Sequence, residues 1–301
     1  MELWNELCTV VGYENVLQNE PMSRHTTFRI GGVADFFVTP TKEDEIWQII
    51  SLAKRQDIPC YIIGNGSNLL VGDKGYRGII IQICKKMNRV DVYENRLYAQ
   101  GGALLSKISA VALEHNLTGL EFAAGIPGTL GGAVVMNAGA YGGEMKQVLT
   151  EVKVLDENGS INIVTVEELE LGYRSSILEK RNDVVLSAVL ALERGESDAI
   201  RAHLDDLKER RTSKQPLEYP SAGSTFKRPT GYYAGKLIED AGLRGFRIGD
   251  AQVSTKHCGF VINCGQATAK DVDSLMNYII RQVETKCGVR LKPEVKRIGE
   301  F

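Results

Sequence analysis

The chain has 301 residues, 43% apolar and 25% charged, with a formal net charge of −2. That profile suits a globular protein of two or three modules, and the charge argues against nucleic-acid binding driven by bulk electrostatics. No apolar run reaches membrane-spanning length, and the N-terminal MELWNELCTVVGYEN carries early acids where a signal peptide has a basic segment.

Six cysteines, at 8, 60, 84, 258, 264 and 287, are scattered without CxxC spacing, and the four histidines lie far apart. Zinc and dithiol motifs are unsupported, no metal is expected, and the thiols read as reduced cytosolic cysteines.

In chain order, TKEDEIWQIISLAKRQD (41–57) predicts a helix with Thr41 as cap and Ile46, Ile49, Ile50 and Ala53 on one face. The strand CYIIG follows, then the polar interruption GNGSN (64–68), then the strand GIIIQI (78–83). The interruption has two readings. It is a tight turn, since Gly and Asn tolerate positive φ, or an anion nest whose successive N–H groups face phosphate oxygens. It matches neither the P-loop nor the dinucleotide fingerprint.

LLSKISAVALEH predicts a helix. Residues 119–145 hold eight glycines in 27 positions with almost no charge, yet are apolar between them (Phe122, Ile126, Leu130, Val134, Val135, Met136). A linker would be polar; this stretch reads as a buried wall where backbone lies close to a ligand. EVKVLDENGSINIVT (151–165) predicts a hairpin turning at Asn158-Gly159, and DVVLSAVLAL another strand. SDAIRAHLDDLKERRTSKQP is a charged helix with a narrow stripe (Ile200, Leu204, Leu207), ending before Pro216 and linking two domains. The third module offers SAGSTFKRP, a helix from Tyr232 to Ala241, the strand 259–263, a helix over 267–288 and the tail VRLKPEVKRIGEF. The class is α+β with several domains.

Six segments, HTTFRIGGVADFFV (25–38), IGNGSNLLVGDKGYRG (63–78), AAGIPGTLGGAVVMNAGAYGGE (123–144), YRSS (173–176), SAGSTFKRP (221–229) and LKPEVKRIG (291–299), appear in one order. Together they resemble the MurB family of UDP-N-acetylenolpyruvoylglucosamine reductases over nearly the whole chain. The absence of an extra substrate-clasping loop, and Arg228 where the longer branch has asparagine, resemble its compact second branch.

The resemblance implies a two-lobed FAD-binding fold of the vanillyl-alcohol oxidase type plus a C-terminal α/β substrate domain. The expected boundaries are 1–84 and 85–205 for the FAD lobes and 206–301 for the substrate domain, with the last residues returning to the FAD lobes. It implies that Gly64, Asn65, Gly66, Ser67 and Asn68 cradle the FAD pyrophosphate, and that Ala124, Gly125, Ile126, Pro127, Gly131, Gly132, Asn137 and Ala140 line the flavin. No His or Cys lies between Tyr61 and Tyr76, so FAD is expected to be noncovalent. NADPH would supply hydride for reduction of UDP-N-acetylglucosamine enolpyruvate to UDP-N-acetylmuramate, in cytoplasmic peptidoglycan precursor synthesis.

The implied catalytic residues are Arg174, holding the substrate carboxylate with paired hydrogen bonds; Ser224, donating a proton to C2; and Glu294, orienting the carboxylate or enolate. Tyr173, Lys214 and His257 are the implied substrate-binding residues. No nucleic acid, no membrane insertion and a monomer or weak oligomer are expected. Two rivals are an oxygen-dependent oxidase of the same superfamily, which lacks the Ser224 and Glu294 motifs, and a noncatalytic flavin-binding sensor, which keeps the wall and loses the polar triad.

Overall fold

The computed structural model describes residues 2–301. The chain divides into two compact units, each assembled from segments far apart in sequence. The first holds the stretch through Leu17, residues 37–65 and 80–211; the second holds residues 18–36, 66–79 and 212–301. The boundaries fall inside the strands Val16–Pro21, Val33–Val38 and Tyr76–Gln82, inside the loop 64–68, and inside the helix Ser197–Lys214.

The first unit is built on an antiparallel five-stranded sheet, in the order Ile161–Thr165, Leu149–Leu155, Val184–Ala191, Arg96–Gln100, Val90–Tyr93. Alternation along each strand sorts the two faces. Leu97, Ala99, Val152, Val154, Ala188 and Leu190 are buried and pack with Leu105 and Ile108 of the helix Leu105–Glu114 and with Leu130 and Val134 of the helix Leu130–Val135. Glu151 and Tyr98 are exposed.

The hairpin at 156–160 turns as expected, with Gly159 at φ 88°. Its organiser is Asp156, whose Oδ1 accepts the N–H groups of Ser160 (2.8 Å) and Asn158 (2.9 Å). Those donors, Ser160 first, hold its carboxyl below the usual range.

The helix Glu43–Arg55 buries Ile46, Ile49, Leu52 and Ala53. Leu52 takes the place expected for Ile50, which is only half-buried, because i+3 spacing from Ile49 keeps it on the core stripe. Thr41 lies just outside the helix, where its N–H (2.6 Å) and hydroxyl (3.1 Å) both donate to the buried Glu45 carboxylate.

The second unit has its own core around the helix Ala269–Cys287. Val272, Leu275, Met276, Ile279 and Val283 follow helical spacing and are all buried. They pack with Phe28, Leu70, Phe226, Leu237 and Val253. An antiparallel sheet (Arg247–Ile248, Ala251–Val253, Val261–Asn263) and a parallel pairing of Leu69–Val71 with Lys296–Ile298 complete the unit, with the helix Ala234–Asp240. That helix starts two residues later than expected, because Tyr233 is extended at its cap. The third strand of that antiparallel sheet starts at Val261 rather than at residue 259, because Phe260 N–H turns back onto His257 O at 3.0 Å.

The start of the long helix is heavily satisfied. Thr268 Oγ1 accepts the Asp271 N–H and an Asp271 carboxylate oxygen accepts the Thr268 N–H, each at 3.0 Å. This is the reciprocal capping box. Asp73 adds a second anion, accepting the N–H groups of Ala269 (2.7 Å) and Lys270 (2.9 Å), so the orphan donors of the first turn find partners. The far end stops at Gly288, φ 67°.

Among the described residues no helix is long and apolar enough to cross a membrane, no group of three or more His, Cys, Asp or Glu could hold a metal ion, and all six cysteines are free.

Asp73→Ala removes two acceptors from the helix start while leaving Thr268 and Asp271 in place. The expected loss is about 1–2 kcal/mol, within the range of helix caps, read as a lower urea midpoint with unchanged slope. An unchanged midpoint would show that the capping box alone holds this end.

Candidate active site

The loop 64–68 is divided between the units, with Gly64 and Asn65 in the first and Gly66 to Asn68 in the second. Side chains are excluded at two of its positions. A Cβ at Gly64 would lie 2.1 Å from Thr129 Oγ1, and one at Gly66, which has φ 63°, would lie 1.9 Å from the His25 carbonyl oxygen. Glycine is required at Gly66 by both dihedral and space.

Among the described residues no acceptor takes the main-chain N–H of Gly64, Asn65, Gly66, Ser67 or Asn68. Gly66 is itself buried. Buried backbone donors are nearly always paired, so the open Gly66 N–H, with those of Ser67 and Asn68 after it, fits an anionic ligand such as the FAD pyrophosphate.

Within the first unit this loop is tied to the glycine-rich wall. Asn65 Nδ2 donates to the Pro127 carbonyl at 2.7 Å, and Gln82 Nε2 to the Gly64 carbonyl at 3.1 Å. The wall's flanks are buried at Phe122, Ala123, Leu130 and Val134. Its middle opens to solvent at Gly125, Pro127 and Gly132, with Ala124, Ile126 and Gly131 half-buried. An uncharged surface with main chain outermost fits a flat aromatic ring.

Asn137 is buried and its side chain is committed to the protein: Nδ2 donates to Gly172 O (3.1 Å) and Oδ1 accepts the Lys146 N–H (3.0 Å). It brackets the turn Gly172–Ser175, closed by N–H to carbonyl bonds of 3.1 and 3.3 Å in the two directions. Arg174 sits in that turn at φ 53°, and its Nη2 donates to Gly139 O at 2.8 Å, next to Ala140 in the wall. Its guanidinium lies 5.1 Å from the centre of the Tyr173 ring, and Tyr173 is half exposed. The first unit thus brings Gly64, Asn65, the wall, Asn137, Ala140, Tyr173 and Arg174 into one connected network.

Two residues of this network have no sequence signal. Thr129, 2% exposed, fills the space beside Gly64. Arg211 lies under the wall, so that a Cβ at Gly125 would fall 2.5 Å from its Nη1. Burial pulls the Arg211 guanidinium below its usual range, with Tyr141 acting in the opposite direction. In the run KERR it reads as another charge on a solvated helix.

The second unit gathers the remaining polar candidates. Ser221 O accepts the Thr27 hydroxyl at 2.6 Å, and Thr225 N–H donates to Gly259 O at 2.9 Å. Between these anchors Ala222 is buried, Gly223 turns the chain at φ 74°, and Ser224 is left exposed. Glu294 comes alongside through its N–H to Thr225 O (2.9 Å) and the Phe226–Pro293 bridge. Ser224 and Glu294 are therefore brought onto adjoining backbone.

His257 reaches the same anchor residue, since its Nδ1 accepts the Gly259 N–H at 3.0 Å. That bond places the ring proton on Nε2. Burial first, and the Arg244 charge second, push the ring below its usual pKa, against its own backbone hydrogen bond. His257 is a neutral donor. Lys214 is exposed at the end of the helix Ser197–Lys214, where Lys256, beside His257, donates to Thr212 O at 2.7 Å.

Known proteins resemble this chain over most of its length. Residues 215–298 match the family "UDP-N-acetylenolpyruvoylglucosamine reductase, C-terminal domain", and residues 34–165 match "FAD binding domain". The UDP-N-acetylenolpyruvoylglucosamine reductase of Caldanaerobacter subterraneus subsp. tengcongensis is 55% identical over 282 residues, covering 94% of this chain and 93% of that one. The crystal structure of UDP-N-acetylenolpyruvylglucosamine reductase (MurB) from Thermus caldophilus superposes with a TM-score of 0.79 at 33% identity, covering 92% of this chain and 97% of that one. A Phl p 4 variant described as a glucose oxidase shares the fold alone, with TM-score 0.51 and 14% identity over 65% of this chain and 45% of its own. The two family matches and the 55% identity over nearly the whole chain converge: this chain belongs to the MurB family, the UDP-N-acetylenolpyruvoylglucosamine reductases.

Proposed function

We propose that this chain reduces UDP-N-acetylglucosamine enolpyruvate to UDP-N-acetylmuramate with NADPH and noncovalent FAD, acting in the cytoplasm in peptidoglycan precursor synthesis as a monomer or weak oligomer. Residues 1–84 and 85–205 would serve the cofactor and 206–301 the substrate. The observation that carries the reading is the backbone pairing that sets Glu294 beside Thr225, the neighbour of Ser224, inside a chain of this family.

Bound FAD would supply the hydride-transfer chemistry between NADPH and C3 of the enolpyruvyl group. The open N–H groups of 64–68 would hold its diphosphate, and the wall Ala124–Gly132 its ring. The chain's own residues act on the charge that then develops at C2 and the carboxylate. Arg174 holds the carboxylate; with its backbone fixed by the Gly172–Ser175 turn, its fork is preorganised, and preorganised charge needs little reorganisation during reaction. Ser224 delivers the proton to C2. An exposed hydroxyl is a weak acid, and the basicity of the enolate it meets drives the transfer. Glu294 orients the carboxylate. Tyr173, Lys214 and neutral His257 bind the nucleotide-sugar.

Noncovalent cofactor is tested directly. Acid precipitation of the yellow protein is expected to release the flavin into the supernatant; flavin retained in the pellet would overturn that part of the reading.

Ser224→Ala separates the two halves of the cycle. Reduction of the flavin by NADPH involves no proton at substrate C2, whereas reoxidation by the enolpyruvyl substrate does. Stopped-flow absorbance is expected to show reoxidation slowed by about 10²–10⁴, the usual worth of general acid catalysis, with reduction little changed. Equal slowing of both steps would make Ser224 an organiser of the cofactor pocket.

A further inference from the structure

We infer that Asn68 is a positioning residue for Glu294, its side chain serving the substrate half of the reaction rather than the cofactor. The inference rests on the function proposed above.

Asn68 closes the loop 64–68, where an amide could donate to a phosphate. Its Nδ2 instead donates to the Glu294 carbonyl at 3.0 Å, across 226 positions of sequence. Its own carbonyl accepts the Lys296 N–H at 2.9 Å. Asn68 therefore grips the chain on both sides of Val295. On the other flank Glu294 N–H donates to Thr225 O (2.9 Å), and Lys227 N–H to Lys292 O (2.9 Å).

The consequence follows from peptide geometry. Each peptide is planar, so a residue has two soft dihedrals. Thr225 holds the plane before the Glu294 Cα, and Asn68 holds the plane after it. With both planes held, φ and ψ are fixed, and so is the direction of the Cα–Cβ bond. Pro293 stiffens the approach through its own fixed φ. The carboxylate is thus aimed by a backbone clamp of which Asn68 is one jaw.

Asparagine suits this position because its amide can donate. A carboxylate in its place is acceptor-only and would set lone pairs against the Glu294 carbonyl. A placement error of about 1 Å at a reacting group can slow a reaction by about 10²-fold.

The experiment uses the FAD-loaded enzyme and stopped-flow absorbance, comparing Asn68→Ala, Asn68→Asp, Glu294→Gln and the double variant Asn68→Ala/Glu294→Gln. Reoxidation by UDP-N-acetylglucosamine enolpyruvate is expected to slow by about 10- to 100-fold in either Asn68 variant, at least tenfold more than reduction by NADPH slows. The double variant should be no more than about twofold slower than Glu294→Gln, because residues acting through one group are not additive. Multiplicative losses in the double variant, equal slowing of reduction, or loss of FAD on dilution would each overturn the inference. Failure of both Asn68 variants to give soluble holoenzyme would assign the residue to folding instead. If the reduced wild-type enzyme is not reoxidised by the enolpyruvyl substrate, the proposed function falls; if Glu294→Gln slows reoxidation and the Asn68 variants do not, this inference alone falls.

Discussion

The pairing of Leu69–Val71 with Lys296–Ile298 is the contact on which the second unit's chemistry depends. Two parallel strands of three residues would not persist alone in water. Here Leu70 and Val71 are fully buried, and the ladder is extended beyond the strands. Gly72 N–H donates to Ile298 O (2.9 Å), Lys74 N–H to Glu300 O (3.1 Å) and Glu300 N–H to Gly75 O (2.9 Å). Closing a loop of this length adds little more entropy cost than closing a shorter one, because the cost grows only logarithmically. Its effect is to deliver Glu294 to Asn68. The same segment, through Asp73, caps the long helix. One short stretch therefore holds the C-terminal strand on one side and the helix start on the other.

Much of this was legible in the sequence, and the division between legible and not is physical. The helices Glu43–Arg55 and Ala269–Cys287 and the hairpin at 156–160 carry local signals: apolar periodicity, a capping box, a glycine at positive φ. Such signals act over a few residues, and here they agree with the tertiary context. The pairing of residues 69–71 with 296–298 has no local signature, since a parallel partner can come from anywhere along the chain. The interleaving of segments between the two units is hidden for the same reason. Ser224, Arg174 and Glu294 stood out only through their motifs. Ser224 alone is another serine in a glycine turn.

The residues that sequence reasoning passed over share a different feature. Thr129 and Arg211 act through what they abut rather than through their type; Asn68, expected in the cofactor cradle, turns its amide to the Glu294 carbonyl instead. Arg211 occupies a charged run that reads as solvated surface, yet lies against Gly125 and is partly desolvated. Conversely, GNGSN reads as a turn or as a nest. The structure shows the steric demand for glycine at Gly64 and Gly66 from neighbouring protein atoms, and leaves the Gly66 N–H without an acceptor among the described residues.

Three non-glycine residues around the wall adopt the left-handed region: Asn137 at φ 41°, Tyr141 at φ 53° and Arg174 at φ 53°. Asparagine tolerates that region, but tyrosine and arginine do not do so readily, and each such residue costs on the order of 1–3 kcal/mol unless its surroundings over-determine it. Around Arg174 they do. The buried Asn137 amide holds the turn from one side, the Gly172–Ser175 bonds close it, and the guanidinium itself anchors to Gly139. Glycine would fit the backbone of this turn with less strain. Retaining arginine there means the side chain's charge and fork geometry outweigh the conformational penalty. Because its backbone cannot relax without breaking the Asn137 bracket, the guanidinium presents its charge from a fixed base, as the carboxylate-holding role proposed for it requires.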